Sequence, residues 1–207
     1  MKRDDNGSDF DDEVNFAKPP EKSIQEIVKA DNDDPSLVKY KQELLGSAAA
    51  ASAPIILRQD NPERVIVTNI SLISDGQVKR SMDLPGPADF VLAIKEGCSY
   101  NIRIQYYVQR EIVSGLRYQH KIKRLGVSVE KETYMFGSFA PRHEIYEYTS
   151  PPEEAPSGLL HRGKYSVTSL VRDDDDHVYL KWNWVLEITK ECVAGPVKNY
   201  MCHRSNN

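Results

Sequence analysis

Two periods divide this chain. Between residues 23 and 45 apolar side chains recur at helical spacing, and from residue 65 onward they recur at every second position. Ser23-Ile24-Gln25-Glu26 is a capping box, in which serine and glutamate satisfy each other's orphan amides, and Ile24, Ile27 and Val28 share one face up to Asp31-Asn32. A second helix starts from Asp34 as N-cap and Pro35 at the first helical position. It runs through Leu37, Tyr40, Leu44 and Leu45 and stops at Gly46. Both are too short to hold alone and need a surface to pack on. The stretch from Ser47 to Pro54 has no large or charged side chain and reads as a linker, with a domain boundary near residue 57. Beyond it Val65 and Val67, then Ile70 and Leu72, alternate with polar positions. Tyr100, Ile102, Ile104, Tyr106 and Val108 do the same, as do Val178, Leu180, Trp182, Trp184, Leu186 and Ile188. Further strand-forming runs occupy 111–124, 127–136 and 164–171 between Gly, Pro and Asp clusters. Seven or more strands in about 130 residues, with no helical period among them, predict an all-β, immunoglobulin-like β-sandwich over 58–190. A helical arm and linker over 23–57 precedes it.

Composition changes this picture at the two ends. The chain has 207 residues, 40% of them apolar, enough for one core and an appendage. Residues 1–34 hold eleven Asp or Glu against five Lys or Arg, whereas the whole chain is only at −4. Residues 1–22 are therefore expected to be an acidic disordered tail, too poor in apolar side chains to offset the entropy of ordering. Net negative charge argues against nucleic acid as a partner. Three cysteines, Cys98, Cys192 and Cys202, without a CxxC pair suit free thiols in a reducing compartment. With no secretory signal and no run of 18 apolar residues, the expectation is a cytoplasmic protein without stable membrane insertion. Cys202 is not fourth from the end, so the chain carries no prenylation box of its own.

Catalytic chemistry finds little support. No Gly-x-Ser-x-Gly elbow, P-loop or His-Glu-x-x-His is present, and the five histidines show no metal-ligand spacing, so neither an enzyme nor a cofactor or metal is expected. A calcium loop starting at Asp173 would need glycine and glutamate where Val178 and Trp184 stand, leaving Asp173–Asp176 as a solvated acidic turn. Glu153 and Glu154, adjacent in a proline-rich loop, point apart rather than forming an acid/base pair.

Several longer words then stand in order: Lys22 to Ile27, Leu37 to Gly46, Lys95-Glu96-Gly97, Arg110 to Tyr118, Glu153 to Gly158, Arg162-Gly163 and Leu180 to Trp184. Together, over roughly residues 16–190, they resemble the Rho GDP-dissociation inhibitor family. The resemblance implies an immunoglobulin-like sandwich behind a regulatory arm, with no catalysis. The arm would hold the switch regions of a small GTPase and prevent nucleotide release. The sandwich would accept the partner's geranylgeranyl chain and so draw it off the membrane. Asp34 and Tyr40 match the arm positions that contact the switches, although Asp34 is equally explained as a helix cap. Asp174 and Asp175 match the acidic patch that faces the GTPase, with solvation as the competing reading. Leu72, Leu92, Tyr100, Ile112, Leu160, Val167, Trp182 and Trp184 match the prenyl pocket, and Phe90 is an alternative to Leu92. The partners implied are geranylgeranylated Rho-type and Rac-type GTPases, bound by a monomer, and the acidic tail would compete with anionic lipid for their basic segment. Three departures stand out: a shortened stretch around Pro85–Phe90, Lys164 where many members have a phosphorylatable serine, and a divergent, flexible tail at 191–207. Ser23 and Ser166 remain candidate phosphorylation sites. The rival reading is a general prenyl-binding chaperone without nucleotide control.

Overall fold

The computed structural model describes residues 34–45 and 54–191; the acidic tail, the first helix, most of the linker and residues 192–207 lie outside the described residues. The second helix forms where its caps place it, with α1 spanning Pro35–Leu45. The Asp34 carboxylate accepts hydrogen bonds from the Ser36 N–H at 2.8 Å and the Leu37 N–H at 3.4 Å, satisfying amides that have no partner inside the helix. Tyr40 belongs to the same helix, and its side chain lies outside the described residues.

Among the described residues ten strands follow: β1 (Val65–Ser74), β2 (Gln77–Asp83), β3 (Val91–Lys95), β4 (Ser99–Val108), β5 (Val113–Arg124), β6 (Val127–Phe139), β7 (Tyr146–Thr149), β8 (Glu153–Glu154), β9 (Gly163–Arg172) and β10 (Val178–Thr189). One sheet has the order β2-β1-β4-β7, with β8 pairing the start of β4, and the other has the order β3-β10-β9-β5-β6. The pairings are antiparallel except that β3 runs parallel to β10, Leu92 opposite Leu186. The β1–β2 hairpin turns on Asp75-Gly76, both with positive φ (54° and 69°), a conformation that suits the twist of the flanking strands and that glycine adopts without strain.

The alternation read in the sequence is the core, except at the start of β10, where the ladder is irregular between Val178 and Leu180 and leaves Val178 exposed and Leu180 half-buried. On β4, Tyr100, Ile102, Ile104, Tyr106 and Val108 are buried while the residues between them are half-buried; on β10, Trp182, Trp184, Leu186 and Ile188 face inward. The shift of phase from Val65/Val67 to Ile70/Leu72 has a local cause. The β1–β4 ladder is irregular between Val67 and Asn69, so one extra residue returns the next apolar pair to the same face. Four strands, β2, β3, β7 and β8, were not individually legible. All four are edge strands or edge fragments, and β3 pairs with a strand ~90 residues later in the chain, so no hairpin signal marks it.

Candidate functional site

The inner faces of the two sheets bring six of the eight predicted pocket residues into one buried cluster. Leu72 comes from β1, Leu92 from β3, Tyr100 from β4, Val167 from β9, and Trp182 and Trp184 from β10, none more than 5% exposed. Trp184 is tethered: its indole N–H donates to Ser169 Oγ at 2.9 Å, and Ser169 Oγ also shares a 2.9 Å hydrogen bond with the Tyr118 hydroxyl. Trp182 stacks on Tyr118 with ring centroids 5.9 Å apart, and its buried indole N–H has no hydrogen-bond partner. A buried donor left in that state costs about 1–3 kcal/mol, which a ligand acceptor would recover. Phe90 is partly buried and packs against the cluster, and the amide of Val185 donates to its carbonyl at 2.9 Å.

Two predicted residues are elsewhere. Leu160 is 83% exposed. The chain between β8 and β9 is pinned at both ends, by Gly97 N–H to the Ala155 carbonyl and by an Arg162–Glu96 pair, and the loop between turns Leu159 and Leu160 outward. Ile112 is half-buried just before β5, outside the cluster. The Arg162–Glu96 pair is bidentate, Nη2 to Oε1 at 2.6 Å and Nε to Oε2 at 2.9 Å, and the Gly158 amide adds a third bond. The Arg162 hydrogen bond, then that of Gly158, holds the Glu96 carboxyl down to about 2. The sequence words around Lys95–Gly97, Glu153–Gly158 and Arg162-Gly163 are thus one structural unit.

Sequence reasoning missed the aromatic wall beside this cluster, although the period-two signal in 111–124 and 127–136 carried it. Tyr118 on β5 and Tyr134 and Phe136 on β6 face Tyr106 on β4 and Tyr148 on β7. Phe136 stacks on Tyr148 at 4.2 Å and on Tyr106 at 5.4 Å. These rings join the sheets along one side. At its end lies a polar corner. Glu153 accepts from the Tyr100 hydroxyl at 2.6 Å and from the Tyr134 hydroxyl. Burial, and then interaction with Glu153, raises both phenols above their usual range, so they stay protonated as donors. His120 is fully buried between Tyr118 and Tyr134, and neither of its ring nitrogens has a hydrogen-bond partner. Burial pushes the imidazole down to about 4, against the opposing charge of Glu132, so the ring is neutral at pH 7. Glu130 completes the corner. Its carboxyl is raised by burial and by the neighbouring Glu153 and Glu132.

The acidic run is more differentiated than a solvated turn. Asp173 is buried at 1% exposure and takes hydrogen bonds from Arg64 Nη2 at 3.1 Å, the Tyr179 hydroxyl at 2.6 Å and the amides of Asp175 and His177. It shapes the turn. Asp174 is exposed and Asp175 half-buried. The Asp174 carboxylate lies 3.4 Å from Arg117 Nη1, with Asp176 3.0 Å from Arg117 Nη2.

The chain matches the family model described as RHO protein GDP dissociation inhibitor over residues 1–191. It is 50% identical over 184 residues to a probable rho GDP-dissociation inhibitor of Caenorhabditis elegans, covering 86% of this chain and 94% of that protein. It is 44% identical over 185 residues to Rho GDP-dissociation inhibitor 1 of Homo sapiens, covering 86% and 87%, and 42% identical over 183 residues to human Rho GDP-dissociation inhibitor 3, covering 85% and 78%. The β-sandwich, the capped helix ahead of it and a match that runs through both place this chain in the Rho GDP-dissociation inhibitor family.

Proposed function

We propose that this chain inhibits GDP dissociation from geranylgeranylated Rho-type and Rac-type GTPases and carries them, as a monomer, from the membrane into the cytoplasm. The carrying observation is that the family match spans arm and sandwich together, residues 1–191, rather than the sandwich alone. A general prenyl chaperone needs only the apolar slot, whereas an inhibitor of nucleotide release also needs a surface for the switch regions. The helix that carries Tyr40 and opens on Asp34 is that surface in this reading. Its one hydrogen-bonded cap leaves the second carboxylate oxygen of Asp34 available to a partner.

The slot is the inner face around Tyr100, Trp182 and Trp184. A prenyl chain moved there keeps its methylenes out of water at ~0.8 kcal/mol each, about what it gives up on leaving the bilayer, so extraction is nearly balanced and open to regulation. Asp174 and Asp175 face the GTPase in this reading. No step of chemistry is involved: the protein acts by holding two surfaces of its partner at once.

The test follows release of labelled GDP from a prenylated Rho-type GTPase on liposomes while measuring how much GTPase becomes soluble. The expected result is slower release together with solubilisation. Tyr40→Ala is expected to restore release while sparing solubilisation in part. Solubilisation with unchanged release would replace this reading by the chaperone, and neither effect would refute both.

A further inference from the structure

We propose that His120, Glu130 and Glu153 form a binding site for one divalent transition-metal ion, with zinc the ion their donor set suits best. Each offers one ligand atom, and these atoms all lie within 4.8 Å of one another. They come from three strands and both sheets: His120 from β5, Glu130 from β6 and Glu153 from β8. Their convergence follows from register. Glu130 is paired with Ile122, two residues beyond His120, and Glu153 is paired with Tyr100, so all three stand on inward-facing positions of their strands.

The observation that separates this corner from an ordinary acidic cluster is the imidazole. His120 has no accessible surface, yet neither ring nitrogen meets a hydrogen-bond partner. Buried polar atoms are almost always paired, and an ion between this imidazole and the two carboxylates would give one of its nitrogens a partner. Glu130 and Glu153 bring two carboxylates to the same corner, and a cation would offset the repulsion between them. One carboxylate is already oriented: the Tyr100 and Tyr134 hydroxyls donate to Glu153, as outer contacts of a ligating carboxylate do.

The donor set selects the ion. One neutral imidazole and two carboxylates suit zinc and its first-row neighbours, whereas calcium and magnesium prefer oxygen alone. Three protein ligands leave a fourth tetrahedral position for water. Ligands about 2.1 Å from zinc lie roughly 3.4 Å apart, so the cluster must contract by up to about 1.4 Å. Glu130, exposed on an edge strand, is free to swing in.

The experiment titrates zinc chloride alone into the metal-free full chain at pH 7 by calorimetry, following the His120 ring resonances by NMR. The expected result is one saturable equivalent that shifts those resonances. His120→Gln, Glu130→Gln and Glu153→Gln should each weaken it at least about tenfold. Glu130 is exposed, so its variant keeps the fold and decides the matter should His120→Gln unfold. A Cys202→Ser/His203→Gln variant should bind as the parent does. Absence of saturable binding, binding indifferent to Glu130→Gln, or binding lost with Cys202 and His203 would overturn the site.

Discussion

Replacing Ser169 by alanine removes a single oxygen atom, yet it should cost far more than its size suggests. Ser169 is fully buried, and its hydroxyl partners both Trp184 Nε1 and the Tyr118 hydroxyl at 2.9 Å. Alanine fills nearly the same volume, so no cavity forms and packing is not the cause. Two buried polar groups instead lose their partners, at about 1–2 kcal/mol each, and the total should reach roughly 2–4 kcal/mol. With a urea slope of about 1–3 kcal/mol per molar, the unfolding midpoint should fall by roughly 1–2 M at constant slope. The diagnostic is the double-mutant cycle. In a Tyr118→Phe background one of the two orphans is already gone, so Ser169→Ala should cost only about half as much, a coupling of roughly 1–2 kcal/mol. The assay is equilibrium unfolding followed by tryptophan fluorescence and circular dichroism. A cost below about 0.5 kcal/mol, or strict additivity with Tyr118→Phe, would show that the three groups are not one network.

Other perturbations read out different parts of the structure. Glu96 has its carboxyl lowered from 4.5 to about 2 by Arg162, so the stabilisation it lends is fully present above pH 4.5 and is lost as pH falls toward 2. Arg162→Ala should return the Glu96 titration, seen at its carboxyl carbon by NMR, toward 4.5, and an unchanged midpoint would remove the clamp as the cause. Leu72→Ala, at a position with no exposure, should lower stability by about 2–5 kcal/mol in thermal unfolding. Gly115 has φ +59°, and a Cβ there would sit 1.9 Å from the Asp174 carboxylate. Gly115→Ala should therefore cost about 1–2 kcal/mol in backbone strain alone and push Asp174 off Arg117. On the proposed reading it should also weaken binding of GDP-loaded GTPase more than uptake of a prenylated peptide, and equal losses would argue against the acidic turn as a docking point.

How far the sequence reaches is visible in single residues. Period two assigns Trp182, Trp184 and Tyr100 to the inner face because side chains alternate across a strand regardless of partner. It also locates the irregularity after Val67, since only an inserted residue lets Val65 and Leu72 share a face. It fails where partners matter. Four consecutive aspartates look alike in sequence, but only Asp173 meets Arg64 and Tyr179 from other strands and becomes buried. Leu160 looks like pocket lining until the loop around it is anchored by Glu96, about 60 residues earlier. His120, Glu130 and Glu153 lie on three strands, and no spacing in one dimension encodes a junction made by two sheets.

That junction bears on how a lipid would enter. The two sheets are joined along one side by the chain itself, since β2 leads directly into β3 through residues 84–90. On the other side β6 leads into β7 through residues 140–145, which ties the edges together only at the Phe139–Tyr146 end. Toward the opposite end the link is made by side chains, Phe136 on Tyr148 and then Tyr134 on Glu153. Side chains change rotamer in nanoseconds or faster when freed, whereas a strand ladder opens only by local unfolding. On the proposed reading, a geranylgeranyl chain would reach Trp182 and Trp184 at the Glu153 corner by displacing side chains rather than by opening a strand ladder. A cation held by His120, Glu130 and Glu153 would fasten that same corner, so lipid entry and metal binding should oppose each other. Zinc would then slow uptake of a prenylated peptide in the parent protein and leave it unchanged in Glu130→Gln.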